Sequence, residues 1–106
     1  MTAAPAKLVQ IMAGARHGGA ELFFERLALG FAERQIDQTT LIRPWPERVA
    51  RLQAADIEVR GQSFARPLAA LNRWQIARQL ARLSPQIVLS WMSRAASQVP
   101  AGNWVH

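Results

Sequence analysis

The sequence predicts a doubly wound α/β domain built on a parallel sheet, from three observations. Short apolar, β-branched runs alternate with longer segments whose apolar residues recur at helical spacing. Connections of only a few residues separate them. The first run, Leu8 to Met12, feeds a loop holding Gly14, Gly18 and Gly19, and that loop opens a helix. A buried strand leading through glycines to a helix N-terminus is how parallel sheets hold anions, because free amides and the helix dipole favour negative charge. The expected order is β-α-β-α-β-α-β, a Rossmann-like parallel sheet with helices on both faces, left incomplete at its C-terminal side.

In chain order, residues 1–6 read as a disordered lead-in and residues 7–106 as one domain. Lys7–Met12 is the first strand. The following helix carries Phe24, Leu27, Ala28 and Phe31 on one core-facing stripe, with Glu25 and Glu33 on the opposite side. Leu22 and Leu29 suggest a second covered side, and Gly30 suggests close packing against a neighbour. Gln38–Arg43 is the second strand, stopped by Pro44-Trp45-Pro46, and Pro46 suits the first turn of a helix reaching about Ala55. Ile57–Gly61 alternates as a third strand, and Phe64–Pro67 is loop. The helix from Pro67 to Leu83 buries Ala69, Ile76, Ala77, Leu80 and Leu83 and presents Asn72, Gln75, Arg78, Gln79 and Arg82 on its other face. Gln86–Trp91, almost wholly apolar, reads as a fourth strand, central and covered on both faces. Asn103–His106 reads as the opening of a fifth strand that does not finish. An open, apolar sheet edge at that point would favour association of copies.

The chain has 106 residues, 50% hydrophobic and 19% charged, enough for one globular core. It has no cysteine, which excludes disulfides and thiolate metal sites and suits the reducing cytosol. Its first residues do not read as a signal peptide, and no apolar run reaches the ~18 residues of a membrane span. The net charge of +6 is unevenly placed. Up to Glu58 seven basic residues face seven acidic ones; from Val59 onward there are six arginines and no acid. That half points to an anionic partner, either a membrane surface, a phosphorylated ligand or nucleic acid. Nucleic acid fits worst, since the arginines are spread over loops, strand and helix with a single helical aromatic, Trp74. Trp45 and Trp74 are ordinarily packing residues, and an indole beside arginines also suits a membrane interface.

Under the predicted topology the glycine loop, Arg43 and the segment Trp91–Arg94 share the C-terminal rim of the sheet. Two nucleotide signatures fail there. The loop reads Gly14-Ala15-Arg16-His17-Gly18-Gly19 rather than G-x-G-x-x-G, and Arg43 stands where a ribose-binding carboxylate would end the second strand. Ala20-Glu21 follows the last glycine where a P-loop needs lysine and then serine or threonine. A receiver domain would want clustered aspartates at the strand ends. Glu21 in the first helical turn complements the dipole. His17 and His106 are too few for a metal site, and none is expected.

The strand followed by His17-Gly18-Gly19-Ala20-Glu21, then Ile42-Arg43-Pro44 and Val88-Leu89-Ser90-Trp91-Met92-Ser93-Arg94, resembles the N-terminal domain of GT-B glycosyltransferases of the family 4 type. The likeness runs from Lys7 through nearly the whole chain. It implies an acceptor-side domain that works across a cleft from a second, donor-binding domain. Gly18 and Gly19 would then touch the donor diphosphate, and Arg16 and His17 would add positive potential. Arg43, Ser90, Trp91, Ser93 and Arg94 would line the substrate side. It further implies a nucleotide-sugar as co-substrate with no cofactor, and a saccharide acceptor of the cell envelope or on a lipid. The implied location is cytoplasmic, in possible peripheral contact with an anionic inner membrane face. The donor domain and a catalytic base after the fifth strand lie outside these 106 residues, so the chain alone is expected to be inactive, with its catalytic residues unassigned. The alternative from the residues themselves is a non-catalytic Rossmann-like module for a phosphorylated small molecule, and a third is a regulatory fragment.

Overall fold

A computed structural model describes residues 7–102 and 104–106, apart from the side chains of residues 66, 93 and 94. The expected lead-in, Asn103, and the side chains of Ser93 and Arg94 therefore lie outside the described residues. The elements are β1 (Leu8–Met12), α1 (Gly19–Glu33), β2 (Gln38–Ile42), α2 (Pro46–Ala54), β3 (Glu58–Gly61), a 3-10 turn (Arg66–Leu68), α3 (Ala69–Leu83), β4 (Ile87–Trp91) and the short α4 (Met92–Ala96). The sheet is parallel throughout, in the order β3-β2-β1-β4. The winding therefore reverses beside β1, as a Rossmann-like α/β fold requires. Met12 stands level with Ile42 on one side and Trp91 on the other.

Alternation along β1 divides the core in two. Val9 and Ile11 join Leu41, Val88, Phe64, Ile76, Leu80 and Ala95, which places α3 and α4 on one face. Met12 joins Ile42, Phe24, Ala28, Leu52 and Ile57, which places α1 and α2 on the other. Phe24 and Ala28 of the expected α1 stripe are wholly buried.

Four details of the sequence reading are corrected. β4 is not central: its neighbours are β1 and, through one parallel bridge at Ile87, Val105. Ile87 is 42% exposed in consequence. The fully buried strands are β1 and β2. Leu22 is exposed rather than covered, and a Cβ on Gly30 would meet nothing within 4 Å, so no close neighbour explains that glycine. Asn72 is buried against the core side of α3, where its amide donates to the Ala65 carbonyl at 3.0 Å.

The α1 face of the sheet also carries a buried polar chain. The Trp91 indole donates to Gln10 Oε1 at 2.9 Å, Gln10 Nε2 to Gln38 Oε1 at 2.8 Å, and Gln38 Nε2 to the Ala28 carbonyl at 2.7 Å. It links β4, β1, β2 and α1, and a shift of strand register would break every link. Gln10→Leu strands the Trp91 N–H and the Gln38 acceptor in the interior. Urea unfolding should show it less stable by about 1–3 kcal/mol at unchanged slope, and an unaltered midpoint would contradict the polar chain.

Candidate functional site

The residues after β1 form a loop anchored at four points. Glu21, third residue of α1, turns its carboxylate back to accept the Ala15 amide at 3.3 Å. Trp45 Nε1 donates to the Gly14 carbonyl at 3.2 Å, and Arg48 Nη2 donates to the Arg16 carbonyl at 3.1 Å. The Arg16 guanidinium pairs with Glu47 on the surface. Glycine at two of the loop's positions leaves room for Glu21 as it is placed here. A Cβ at Gly14 would lie 2.6 Å from Glu21 Cγ, and one at Gly18 would collide with the Glu21 carboxylate. Gly19 is different, since a Cβ there would meet nothing within 4 Å. The start of α1 is thus open around the Gly19 α-carbon, with Gly18 backed by a carboxylate. Glu21 does more than complement the helix dipole: it closes the loop.

Arg48 connects this loop to the body of the domain. Its side chain is buried and its Nε donates to Glu25 Oε1 at 3.0 Å. Arg51 approaches the same carboxylate with two bonds of 2.7 Å. Glu25, expected to face solvent, is 6% exposed between α1 and α2. The Arg51 hydrogen bonds hold its pKa below the usual 4.5; burial opposes them, and Arg48 lowers it further. The Arg16 hydrogen bond likewise lowers Glu47, and the Glu25 hydrogen bond raises Arg51.

Two depressions result. One, of about 490 Å³, lies between the loop, α1 and α2, lined by Arg16, His17, Gly18 and Glu21 together with Glu25, Arg26, Arg48 and Arg51. The other, of about 870 Å³, opens at the ends of β2 and β3. Arg43, Pro44 and Trp45 form one wall of it, Gly61 to Ala65 the floor, and Gln75 and Gln79 of α3 the far wall. Gln62 Nε2 bonds Gln75 Oε1 at 3.0 Å, so the amides are already oriented. Asn72 and Gln98 hold the Ala65 and Phe64 carbonyls behind the floor. Trp45 joins the two regions, its indole N–H on the glycine loop and its side chain lining the larger pocket.

The expected site residues therefore do not converge on one crevice. Arg16, His17 and Gly18 share the smaller depression, and Arg43 belongs to the larger. Trp91 is turned inward, its ring 5.6 Å from Phe23 and 5.8 Å from Phe24 and its N–H on Gln10. Ser90 Oγ lies 2.6 Å from His106 Nε2. The backbone of residues 93 and 94 belongs to α4. The sequence reading did not identify Gln62, Ser63, Gln75 or Gln79 as pocket residues. The i, i+4 spacing of Gln75 and Gln79 is visible in the sequence, but it fits an ordinary solvent face equally well. Among the described residues no three of His, Cys, Asp and Glu gather as a metal site. No described helix is long and apolar enough to cross a membrane.

A glycine loop braced at the head of a Rossmann-like sheet thus stands beside an amide-lined pocket, and comparison with known proteins bears on the class of the chain. The chain is similar to two proteins of Rhizobium meliloti (strain 1021). It is 33% identical over 89 residues to lipopolysaccharide core biosynthesis glycosyltransferase LpsE, covering 80% of this chain and 25% of that protein. It is 32% identical over 85 residues to lipopolysaccharide core biosynthesis glycosyltransferase LpsD, covering 79% and 25%. The similarity supports a glycosyltransferase relationship, and the chain spans about a quarter of the length of these relatives. No family model matches the chain, and no solved structure matches it.

The Glu25 cluster has a signed pH dependence. A carboxyl whose folded pKa is lowered stabilises the fold fully above its usual 4.5, and that stabilisation is lost as pH falls through the lowered value. Urea midpoints taken from about pH 7 to about pH 3 should fall more steeply for the native chain than for Glu25→Gln. Arg51→Gln, which removes the exposed partner only, should be intermediate. Parallel curves for all three would contradict the assignment.

Proposed function

We propose that this chain is the acceptor-side, N-terminal domain of a GT-B glycosyltransferase of the family 4 type. It serves transfer of a sugar from a nucleotide-sugar to a cell-envelope or lipid-linked saccharide, on the cytoplasmic side of the membrane. The observation that carries this reading is the adjacency of the braced glycine loop and the amide-lined pocket, with Trp45 shared between them. The names of the two relatives support the class of reaction.

The chemistry of the pocket suits a saccharide. Gln62 Nε2 is engaged with the Ser63 carbonyl and Gln75 Oε1, and Arg60 donates to Gln79 Oε1, so Gln62 Oε1 is the acceptor and the Gln75 and Gln79 amides are the donors offered to sugar hydroxyls. The indole of Trp45 offers an apolar surface to the C–H face of a sugar ring. Arg43 adds a cation for a carboxylate or phosphate substituent. In transfer, an acceptor hydroxyl attacks the anomeric carbon while the bond from that carbon to the diphosphate oxygen breaks, and negative charge grows on the leaving phosphate. The Gly19 amide, at the positive end of α1, is the group of this chain best placed to meet that charge, with Gly18 beside it. Arg16 and His17 stand at the same end, where Arg16 would have to leave Glu47 to meet an anion. Ser90, Ser93 and Arg94 complete the proposed acceptor side, with Trp91 turned inward beneath them as a packing residue. Glu21 and Arg48 are positioning residues, holding the loop through Ala15 and Arg16.

The test is nuclear magnetic resonance titration of the chain with a deacylated lipopolysaccharide core oligosaccharide, followed at the Trp45 indole and the glutamine side-chain amides. Saturable shifts at these groups are expected, and Gln75→Ala combined with Gln79→Ala should weaken binding by about tenfold, the loss of one or two hydrogen bonds. Shifts confined to Arg16–Ala20 with a sugar phosphate, and none with the oligosaccharide, would overturn the reading in favour of a phosphorylated-ligand module.

A further inference from the structure

We propose that the larger pocket is built for an acidic sugar, whose carboxylate is held by Arg43 together with the amide nitrogens of Gln75 and Gln79. This rests on the reading of that pocket as the acceptor side, and it names the class of acceptor. The direction of both amides is set by partners that act in one sense only. Arg60 Nη1 lies 2.5 Å from Gln79 Oε1. A guanidinium only donates, so the oxygen of Gln79 has to face it, and Nε2 is the end left for a ligand. At the floor the Ser63 carbonyl only accepts, and it lies 2.8 Å from Gln62 Nε2. The same nitrogen meets Gln75 at 3.0 Å, so the Gln75 atom there is its oxygen and Gln75 Nε2 is again the free end.

Amides able to turn would suit any sugar hydroxyl; two that cannot turn make a wall of donors. Arg43 stands on the opposite wall, half-buried, and among the described residues it pairs with no carboxylate. No acidic residue is among the described ones that line the pocket. A neutral hydroxyl both gives and takes hydrogen bonds, whereas an oxyanion only accepts them and does so more strongly from a cation.

Charge selects among the oxyanions. Arg60 is committed to Glu58 at 3.3 Å and to Gln79, which leaves Arg43 as the uncommitted cation among the described lining residues. One positive charge balances a carboxylate. A phosphate monoester carries about −1.5 to −2 at neutral pH and would keep charge unpaired there. Trp45, on the same wall as Arg43, offers its apolar surface to the sugar ring. Arg60 is a positioning residue: it acts on the ligand only by fixing Gln79.

The test is nuclear magnetic resonance titration of the native chain with methyl glucuronide, with methyl glucoside and with the phosphate monoester of methyl glucoside, which share a ring and differ in one substituent. The side-chain amides of Gln75 and Gln79 are followed. The glucuronide is expected to bind about tenfold more tightly than the glucoside, and the gap should narrow as salt is raised. Arg43→Gln should close the gap. Arg60→Met, which lets Gln79 turn its oxygen to the ligand, should weaken the glucuronide about threefold and spare the glucoside. Arg60→Lys, still only a donor, should keep the gap. Equal affinity for glucuronide and glucoside would overturn the acidic preference and leave the acceptor pocket standing, whereas no shift with any of the three would overturn both. Tighter binding of the phosphate than of the glucuronide would overturn the choice of carboxylate. An undiminished gap in Arg60→Met would overturn the role of Arg60.

Discussion

The contact on which the rim depends is the buried ion pair between Glu25 of α1 and Arg48 of α2, extended by Arg51. Burying two charges costs several kcal/mol per ion unless their hydrogen bonds are well satisfied, and removing one partner from such a pair costs about 3–5 kcal/mol. Here the carboxylate accepts three bonds of 2.7 to 3.0 Å, and Arg48 spends another donor on the Arg16 carbonyl, while its buried Nη1 has no partner among the described residues. One side chain thereby fixes the spacing of two helices and the path of the glycine loop. Trp45, three residues before Arg48, bonds the same loop from the start of α2. The position of α2 and the shape of the loop are one structural decision.

A division of labour between the halves of the chain follows. Most of the acidic residues before Val59 are spent on internal contacts: Glu21 on Ala15, Glu25 on Arg48 and Arg51, Asp37 on Lys7, Glu47 on Arg16, Glu58 on Arg60. Three of these, from Glu21, Glu25 and Glu47, brace the layer of α1 and α2. The second half has no acid to spend, and its arginines on α3 face outward. The excess positive charge is therefore a property of the α3 layer, and the glycine loop sits in a region of nearly balanced charge.

Much of this fold was legible in the residues. The alternation of β-branched runs with helical stripes predicts every strand and the three long helices, and Pro46 and Ser84-Pro85 mark a helix start and a helix stop. What pattern cannot show is which polar residues are inside. Glu25, Asn72 and Gln10 look like solvent or neutral positions by type, yet each is buried because a specific partner from elsewhere in the chain reaches it. β4 reads as central because it is apolar, but strand order is a long-range property, and its outer neighbour is a single bridge. The site was half legible. The glycine loop stands out by composition, whereas the larger pocket is assembled from glutamines on a loop and a helix whose meeting no local spacing announces.

The central claim is that the loop between Met12 and Gly19 is held in one conformation by Glu21, Arg48 and Trp45 before any ligand arrives. Amide hydrogen exchange of the ligand-free chain tests it most directly. The Ala15 amide, bonded to Glu21, should exchange as slowly as amides inside α1, and Arg48→Ala should bring it to the rate of an open loop. Fast exchange at Ala15 in the native chain, matching that of exposed loops, would contradict the account.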